Sequence, residues 1–85
     1  MGETNFNRRQ CLRALSKLGF YLANKRSGSH DKYRPPNSLL GSIRPPQPPF
    51  IMIPRHNQLA CQAEILEELE RMGGKQLVDR FKAFL

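Results

Sequence analysis

Residues 20–34 read FYLANKRSGSHDKYR, and this stretch decides the fold because it is typical of two short strands joined by a turn. Aromatic side chains favour strands, so residues 20–25 are predicted to form the first strand. The Ser-Gly-Ser sequence at 27–29 favours a turn. A second, highly polar strand is predicted over 30–34, with one face in contact with solvent.

A helix is predicted immediately before this hairpin, from about Arg8 to Leu18. Asn7 is a good N-cap, and Gln10 follows it by three residues, as in a capping box. Gly19 is placed to end the helix. One helical stripe is apolar and comprises Cys11, Leu12, Leu15 and Leu18.

The C-terminal part of the chain supplies a third strand and two helices. The apolar run FIMI at 50–53 predicts a strand, and periodic apolar positions predict helices over about 60–72 and 75–84. The pair Gly73-Gly74 is expected to separate the two helices. The order αβββα with a short extra C-terminal helix predicts one α+β domain over residues 1–85. Its three-stranded antiparallel sheet would carry the helices on one face.

A Pro-rich segment lies between the second and third predicted strands. Residues 35–49 contain six prolines in fifteen residues, which argues against a helix or a central strand. We expect a protruding loop of polyproline II character that adds little to the core and can be replaced without loss of folding.

The charge of the chain is strongly positive and unevenly distributed. Its formal net charge is +7. Residues 1–60 hold ten Lys or Arg and two Asp or Glu, whereas residues 61–85 hold four and five, respectively. This asymmetry predicts an anionic partner for the first part of the chain, and nucleic acid is the commonest such partner.

Several other classes of function are not indicated. No apolar run approaches the roughly 18 residues of a membrane span, and residues 1–10 lack an apolar signal segment, so we expect a cytoplasmic protein. Cys11 and Cys61 are predicted to be reduced thiols. The cysteines and histidines lack zinc-ligand spacing, so no metal is expected. There is no Gly-rich phosphate loop, and we expect neither a cofactor nor a small-molecule substrate.

His30 and His56 are the candidate chemical groups. His30 lies among Lys25, Arg26, Lys32, Tyr33 and Arg34. An imidazole can exchange a proton near neutral pH and can therefore assist attack of a ribose 2′-hydroxyl on the adjacent phosphorus. On spacing alone, a histidine in a basic hairpin is more often a solvated side chain. His56 follows Pro54-Arg55 and could have a structural role or contact RNA.

Several motifs taken together resemble the HicA family, the small toxins of type II toxin–antitoxin pairs. The matching segments are LSKLGF at 15–20, GSH at 28–30 with Tyr33, IMIPRH at 51–56, and AEI, Leu69 and Met72-Gly73 in the helix that follows. The sequence LVDRF at 77–81 is similar to the short closing helix of the family. The resemblance excludes residues 35–49, which stand where the family has a tight turn.

The resemblance implies a fold like that of a double-stranded RNA-binding domain and an mRNA-cleaving activity without a metal. It implies that His30 is the catalytic residue and that a HicB-type antitoxin covers the active site. The residues expected to contact RNA around it are Lys25, Arg26, Gly28, Ser29, Lys32, Arg55 and His56.

Two alternatives remain open at this stage. One is a non-catalytic RNA-binding module, a degenerate HicA-like domain that uses the same surface. The other is a protein-interaction domain that presents the Pro-rich segment to an aromatic groove.

Overall fold

The computed structural model describes residues 5–24, 30–56 and 58–85. The elements in this part of the chain are α1 (Arg8–Lys17), β1 (Tyr21–Asn24), β2 (His30–Arg34), α2 (Asn37–Leu40), β3 (Ile51–Pro54) and α3 (Gln62–Ala83). The strands form one antiparallel sheet in the order β1-β2-β3. The predicted α+β arrangement, with three strands between helices and a helical C-terminus, is confirmed.

The first helix begins and ends as its sequence predicts. The side chain of Asn7 accepts a hydrogen bond from the backbone N–H of Gln10, and Gln10 Oε1 accepts one from the backbone N–H of Asn7. These reciprocal bonds form the predicted capping box. Gly19 follows the C-cap with φ of +93°, a left-handed conformation that glycine adopts without strain.

The sheet has an inner face and an outer face, because side chains alternate along each strand. Asp31, Tyr33, Ile51 and Ile53 point inward, and β2 pairs with β3 so that Asp31 lies opposite Ile53. The inward apolar side chains pack with buried residues of both long helices, namely Cys11, Ala14, Leu15, Ile65, Leu69, Met72, Leu77, Val78 and Phe81. Both helices therefore cover the inner face.

The second long helix is interrupted where the glycine pair predicts a break. Gly74 has φ of 78° and ψ of −174°, which are non-helical values, within the span of α3. The chain before Gly74 contributes Leu69 and Met72 to the core, and the chain after it contributes Phe81. The ring of Phe81 meets that of Phe6 edge-to-face, with 5.3 Å between centroids.

The expectation of a helix-free, protruding loop over 35–49 is wrong. Residues Asn37–Leu40 form the short helix α2, since the prolines flank them and leave their backbone N–H groups in place. Pro35 is fully buried, and Leu39 and Ile43 pack against the core. Hydrogen bonds also fix the segment to α3: Ser42 Oγ donates to the carbonyl of Met72 (2.9 Å).

No helix among the described residues is long and apolar enough to cross a membrane.

Candidate nucleic-acid interface

The two histidine-containing motifs meet at one end of the sheet. In the antiparallel pairing of β2 with β3, His30 lies opposite Pro54. Arg55 and His56 follow Pro54 directly, and both imidazoles are exposed. Segments 24 residues apart in the chain are therefore neighbours, as a site shared by His30, Arg55 and His56 requires.

A buried carboxylate organises this end of the sheet. Asp31 Oδ2 accepts a hydrogen bond from Arg8 Nη2 (2.6 Å), and Asp31 Oδ1 accepts one from Arg55 Nε (2.8 Å). Arg8 Nε also donates to the carbonyl of Pro54 (2.8 Å). We call these three side chains the arginine–aspartate cluster. It ties the first residue of α1 to both strands and carries one net positive charge.

Asp31 was not identified as a site residue from the sequence. Its inward direction follows from strand alternation, which would ordinarily put an apolar side chain there. A buried carboxylate needs cationic or hydrogen-bonding partners, and both arginines supply them. The signal in the sequence was that Asp31 is one of two acidic residues among the first sixty.

Arg55 has a partner that the phosphate-binding prediction did not include. The 2.8 Å ion pair of Arg55 Nη2 with Asp31 Oδ1, together with the bond from Nε, commits two of its nitrogens to the carboxylate. The Arg55 side chain is still 38% exposed. The Arg55 guanidinium is therefore held in one position by Asp31 while part of it stays accessible to solvent.

Lys32 faces the same side of the sheet as His30, two residues further along β2. Its ammonium lies 4.5 Å from the ring centroid of Phe50, in a cation–π arrangement. Phe50 precedes β3, whereas His30 pairs with the end of that strand. The ammonium is therefore directed away from the end of the sheet that carries His30.

The outer face of the sheet, defined by Tyr21, His30, Lys32, Arg34, Met52 and Pro54, is basic and partly apolar. Register pairs Tyr21 with Arg34 and Lys32 with Met52. Tyr21 and Met52 are 52% and 41% exposed, which makes them the exposed large hydrophobic side chains of the described chain. None of the six positions is acidic, so the outer face suits an anion.

Four residues predicted to contact RNA, namely Lys25, Arg26, Gly28 and Ser29, lie outside the described residues. Their proposed roles stay predictions. They connect β1 to β2, and His30 is the first residue after them.

A separate polar cleft of about 390 Å³ lies between the starts of α1 and α3. Its amide-bearing lining residues are Asn5, Asn7, Gln10, Gln58 and Gln62. Asn7 and Gln10 form the capping box, and Gln62 accepts from the backbone N–H of Phe6 (3.2 Å) and donates to the carbonyl of Leu59 (3.0 Å). Three of the five amide side chains therefore fix the starts of α1 and α3.

The two thiols are not joined to each other, as predicted. Burial raises the pKa of the Cys11 thiol from 9.0 to about 12 and also raises the pKa of Cys61. Both therefore remain protonated at neutral pH. Within the described ranges, no group of three His, Cys, Asp or Glu side chains is arranged to hold a metal ion.

Comparison of the chain with protein-family models, with curated proteins and with solved structures gave no match.

Proposed function

We propose that this protein is a metal-independent endoribonuclease that cleaves mRNA, with His30 as its general acid or base, and that it is the toxin of a toxin–antitoxin pair. The observation that carries the proposal is the β2–β3 register, which pairs His30 with Pro54 and so gathers His30, Arg55 and His56 at one end of the sheet. The resemblance of the sequence to the HicA family supports the choice of reaction.

The proposed reaction needs two proton transfers. A base removes the proton of the ribose 2′-hydroxyl, the 2′-oxygen attacks the adjacent phosphorus, and the bond from phosphorus to the 5′-oxygen breaks. An acid protonates that leaving oxygen. The products are a 2′,3′-cyclic phosphate and a 5′-hydroxyl. His30 takes one of these roles, and His56, exposed two residues beyond Pro54, is the candidate for the other.

Charge near His30 favours this reaction. The arginine–aspartate cluster brings one net positive charge to the end of the sheet that holds both histidines. Cationic groups in fixed positions stabilise the negative charge that builds up on the phosphorane oxygens. Because Asp31 orients Arg55, this guanidinium needs little rearrangement to meet a phosphate.

An antitoxin partner follows from the same proposal. An active nuclease that cleaves cellular mRNA must be held inactive, and a HicB-type protein covering His30 would do so. The +7 net charge favours an acidic partner, since complementary charge speeds association. A saturating antitoxin is expected to block RNA binding; full-rate cleavage in its presence would contradict this docking.

The second candidate function is a non-catalytic RNA-binding module. It is favoured by the outer face, which combines Lys32 and Arg34 with the exposed Tyr21 and Met52 and can bind an anion without a histidine. This candidate predicts RNA binding with no chemical turnover.

The experiment that separates the two candidates is incubation of purified protein with end-labelled mRNA in excess EDTA. The ribonuclease proposal predicts fragments that end in 2′,3′-cyclic phosphate. Binding without fragments would leave the module as the function. Fragments that appear only after a metal is added would contradict the proposed chemistry.

A further inference from the structure

The outer face of the sheet is unpartnered in the described structure, although it carries the most exposed apolar side chains. The two long helices cover the inner face. Tyr21 lies on β1 and Met52 on β3, while β2 between them presents Lys32 and Arg34 outward. The cationic side chains of β2 therefore lie between Tyr21 and Met52, both of which can pack against a planar group.

The geometry of this face matches an extended chain rather than a small ligand. Neighbouring strands lie about 4.8 Å apart and the chain rises about 3.4 Å per residue, so Tyr21 and Met52 are roughly 12 Å apart across the sheet. A ligand that contacts Tyr21, Met52 and Lys32 together must therefore extend over roughly 12 Å, and the Lys32 ammonium favours one that carries negative charge.

We propose that the outer face, through Tyr21, Lys32 and Met52, binds single-stranded RNA by stacking of its bases. This inference rests on the proposed function for the choice of RNA over other polyanions. Aromatic side chains on a positively charged surface bind single strands because every base has a π-face, and sulfur also makes favourable contacts with rings. In a duplex the faces of the bases are covered by neighbouring bases. The outer face of the sheet should therefore bind a duplex less tightly than a single strand.

Phe50 fits the same arrangement. Its ring lies 4.5 Å from the Lys32 ammonium, which holds the cation at the Phe50 end of β3, on the side away from His30. His30 occupies the same face two residues before Lys32. The row of His30 and Pro54 follows that of Lys32 and Met52, on the side away from Tyr21. A strand that runs along the sheet from Tyr21 toward the histidine end would therefore bring a phosphate to the imidazole.

The test uses a 12-nucleotide RNA whose 2′-oxygens are methylated, so that it binds without being cleaved. Fluorescence anisotropy compares the single strand with its duplex. We expect the single strand to bind at least tenfold more tightly than the duplex. Tyr21→Ala should weaken binding about 5- to 100-fold, whereas Tyr21→Phe should bind like the parent because it keeps the ring. Arg80→Ala, an exposed cation on α3, is the control for loss of charge alone.

A second measurement avoids substitution. In protein labelled at the methionine methyl groups, a stacked base should shift the Met52 methyl signal upfield. The methyl of Met72, which is 1% exposed in the core, should stay in place. This readout keeps the test valid if Tyr21→Ala fails to fold.

The outcomes separate this inference from the proposed nuclease. If single-strand binding needs Tyr21 but unmodified RNA is not cleaved, base stacking on the outer face is supported and the proposed nuclease activity is contradicted. If Tyr21→Ala still cleaves RNA and the Met52 signal does not move, base stacking on the outer face is contradicted and the nuclease proposal stands. Equal affinity for the duplex, or a Met52 signal that moves with protein concentration alone, as when a second copy covers the face, also overturns the inference.

Discussion

Arg8 Nη2 lies 2.6 Å from Asp31 Oδ2, which joins the first turn of α1 to the central strand of the sheet. The carboxylate is buried, and Arg55 satisfies its second oxygen. Because Arg8 also donates to the carbonyl of Pro54, one guanidinium fixes the helix against two strands. The end of the sheet that carries His30 is thereby held in a defined position.

Asp31→Asn is expected to destabilise the protein by about 2 to 3 kcal/mol. Breaking a fully buried ion pair typically lowers stability by about 3–5 kcal/mol. The loss expected here is smaller because both arginines keep contact with water. Urea unfolding followed by circular dichroism measures the change. Asp79→Asn, which removes the same charge from an exposed position on α3, should change stability by less than about 0.5 kcal/mol. Equal stability losses in both variants would show that the cluster adds nothing specific.

Gly73→Ala tests how closely Leu77 of α3 and Leu39 of the Pro-rich segment pack around Gly73. An added Cβ would lie 2.9 Å from Leu77 Cβ and 3.0 Å from Leu39 Cδ1, so side chains from both sides must move. Overpacking outweighs the gain in helix propensity, and we expect a net loss of about 1 to 2 kcal/mol.

Gly41→Ala is the matched control for this substitution. Its added Cβ would meet no atom within 4 Å, and its φ of −68° suits any residue. Stability should therefore stay within about 0.5 kcal/mol of the parent. A thermal midpoint for Gly73→Ala equal to that of Gly41→Ala would contradict the close packing of Leu77 and Leu39 against Gly73.

The local elements of this fold are predictable from sequence because their signals are local. The Asn7–Gln10 capping box specifies the start of α1, and Gly73-Gly74 correctly marks a break in the C-terminal helical region. The strand FIMI is displaced by one residue, to Ile51–Pro54, since pairing with β2 rather than propensity sets its ends.

The packing of the Pro-rich segment and the arginine–aspartate cluster cannot be predicted from the sequence, because both depend on contacts distant in sequence. Proline restricts its own backbone, but the partial burial of Leu39 and Ile43 depends on where the core formed by distant elements lies. Likewise, Asp31 looks like a solvated strand residue until Arg8 and Arg55 are brought beside it. The pairing of His30 with Pro54 required the strand register.

Stability is expected to fall at alkaline pH through Cys11. Burial raises the pKa of its thiol to about 12 in the folded protein, against 9.0 as its ordinary value. The folded state therefore keeps a proton that the unfolded chain loses. This contribution is complete below pH 9 and disappears as pH rises toward 12. Urea midpoints between pH 8 and 11 should fall more steeply in the parent than in Cys11→Ala; parallel curves would contradict this assignment.

RNA affinity should depend steeply on salt, because phosphate contacts release counterions. With about four phosphates neutralised, log K against log salt should have a slope near −3 for a single strand. Lys32→Ala should flatten it by about 0.7, whereas Lys75→Ala, an exposed cation on α3, should leave it unchanged. Equal flattening by both variants would show that overall charge, rather than the outer face, attracts the RNA.

The central claim is that His30 performs acid–base chemistry on RNA. His30 is exposed at the start of β2, so His30→Ala should leave the thermal midpoint nearly unchanged, within about 0.5 kcal/mol in stability. Binding of uncleavable RNA should also survive, since Lys and Arg side chains supply most of the attraction. If stability and RNA binding are both unchanged in His30→Ala, a loss of cleavage activity can be assigned to the chemical step.

The most direct test is the single-turnover rate of RNA cleavage by His30→Ala in EDTA, compared with the parent and with Lys75→Ala. The proposed role predicts a loss of roughly 10²- to 10⁴-fold in His30→Ala and no loss in Lys75→Ala. The pH profile of the parent should be bell-shaped if His56 is the second proton carrier, and His56→Ala should then remove one limb. Cleavage by folded His30→Ala at the rate of the parent would contradict the claim.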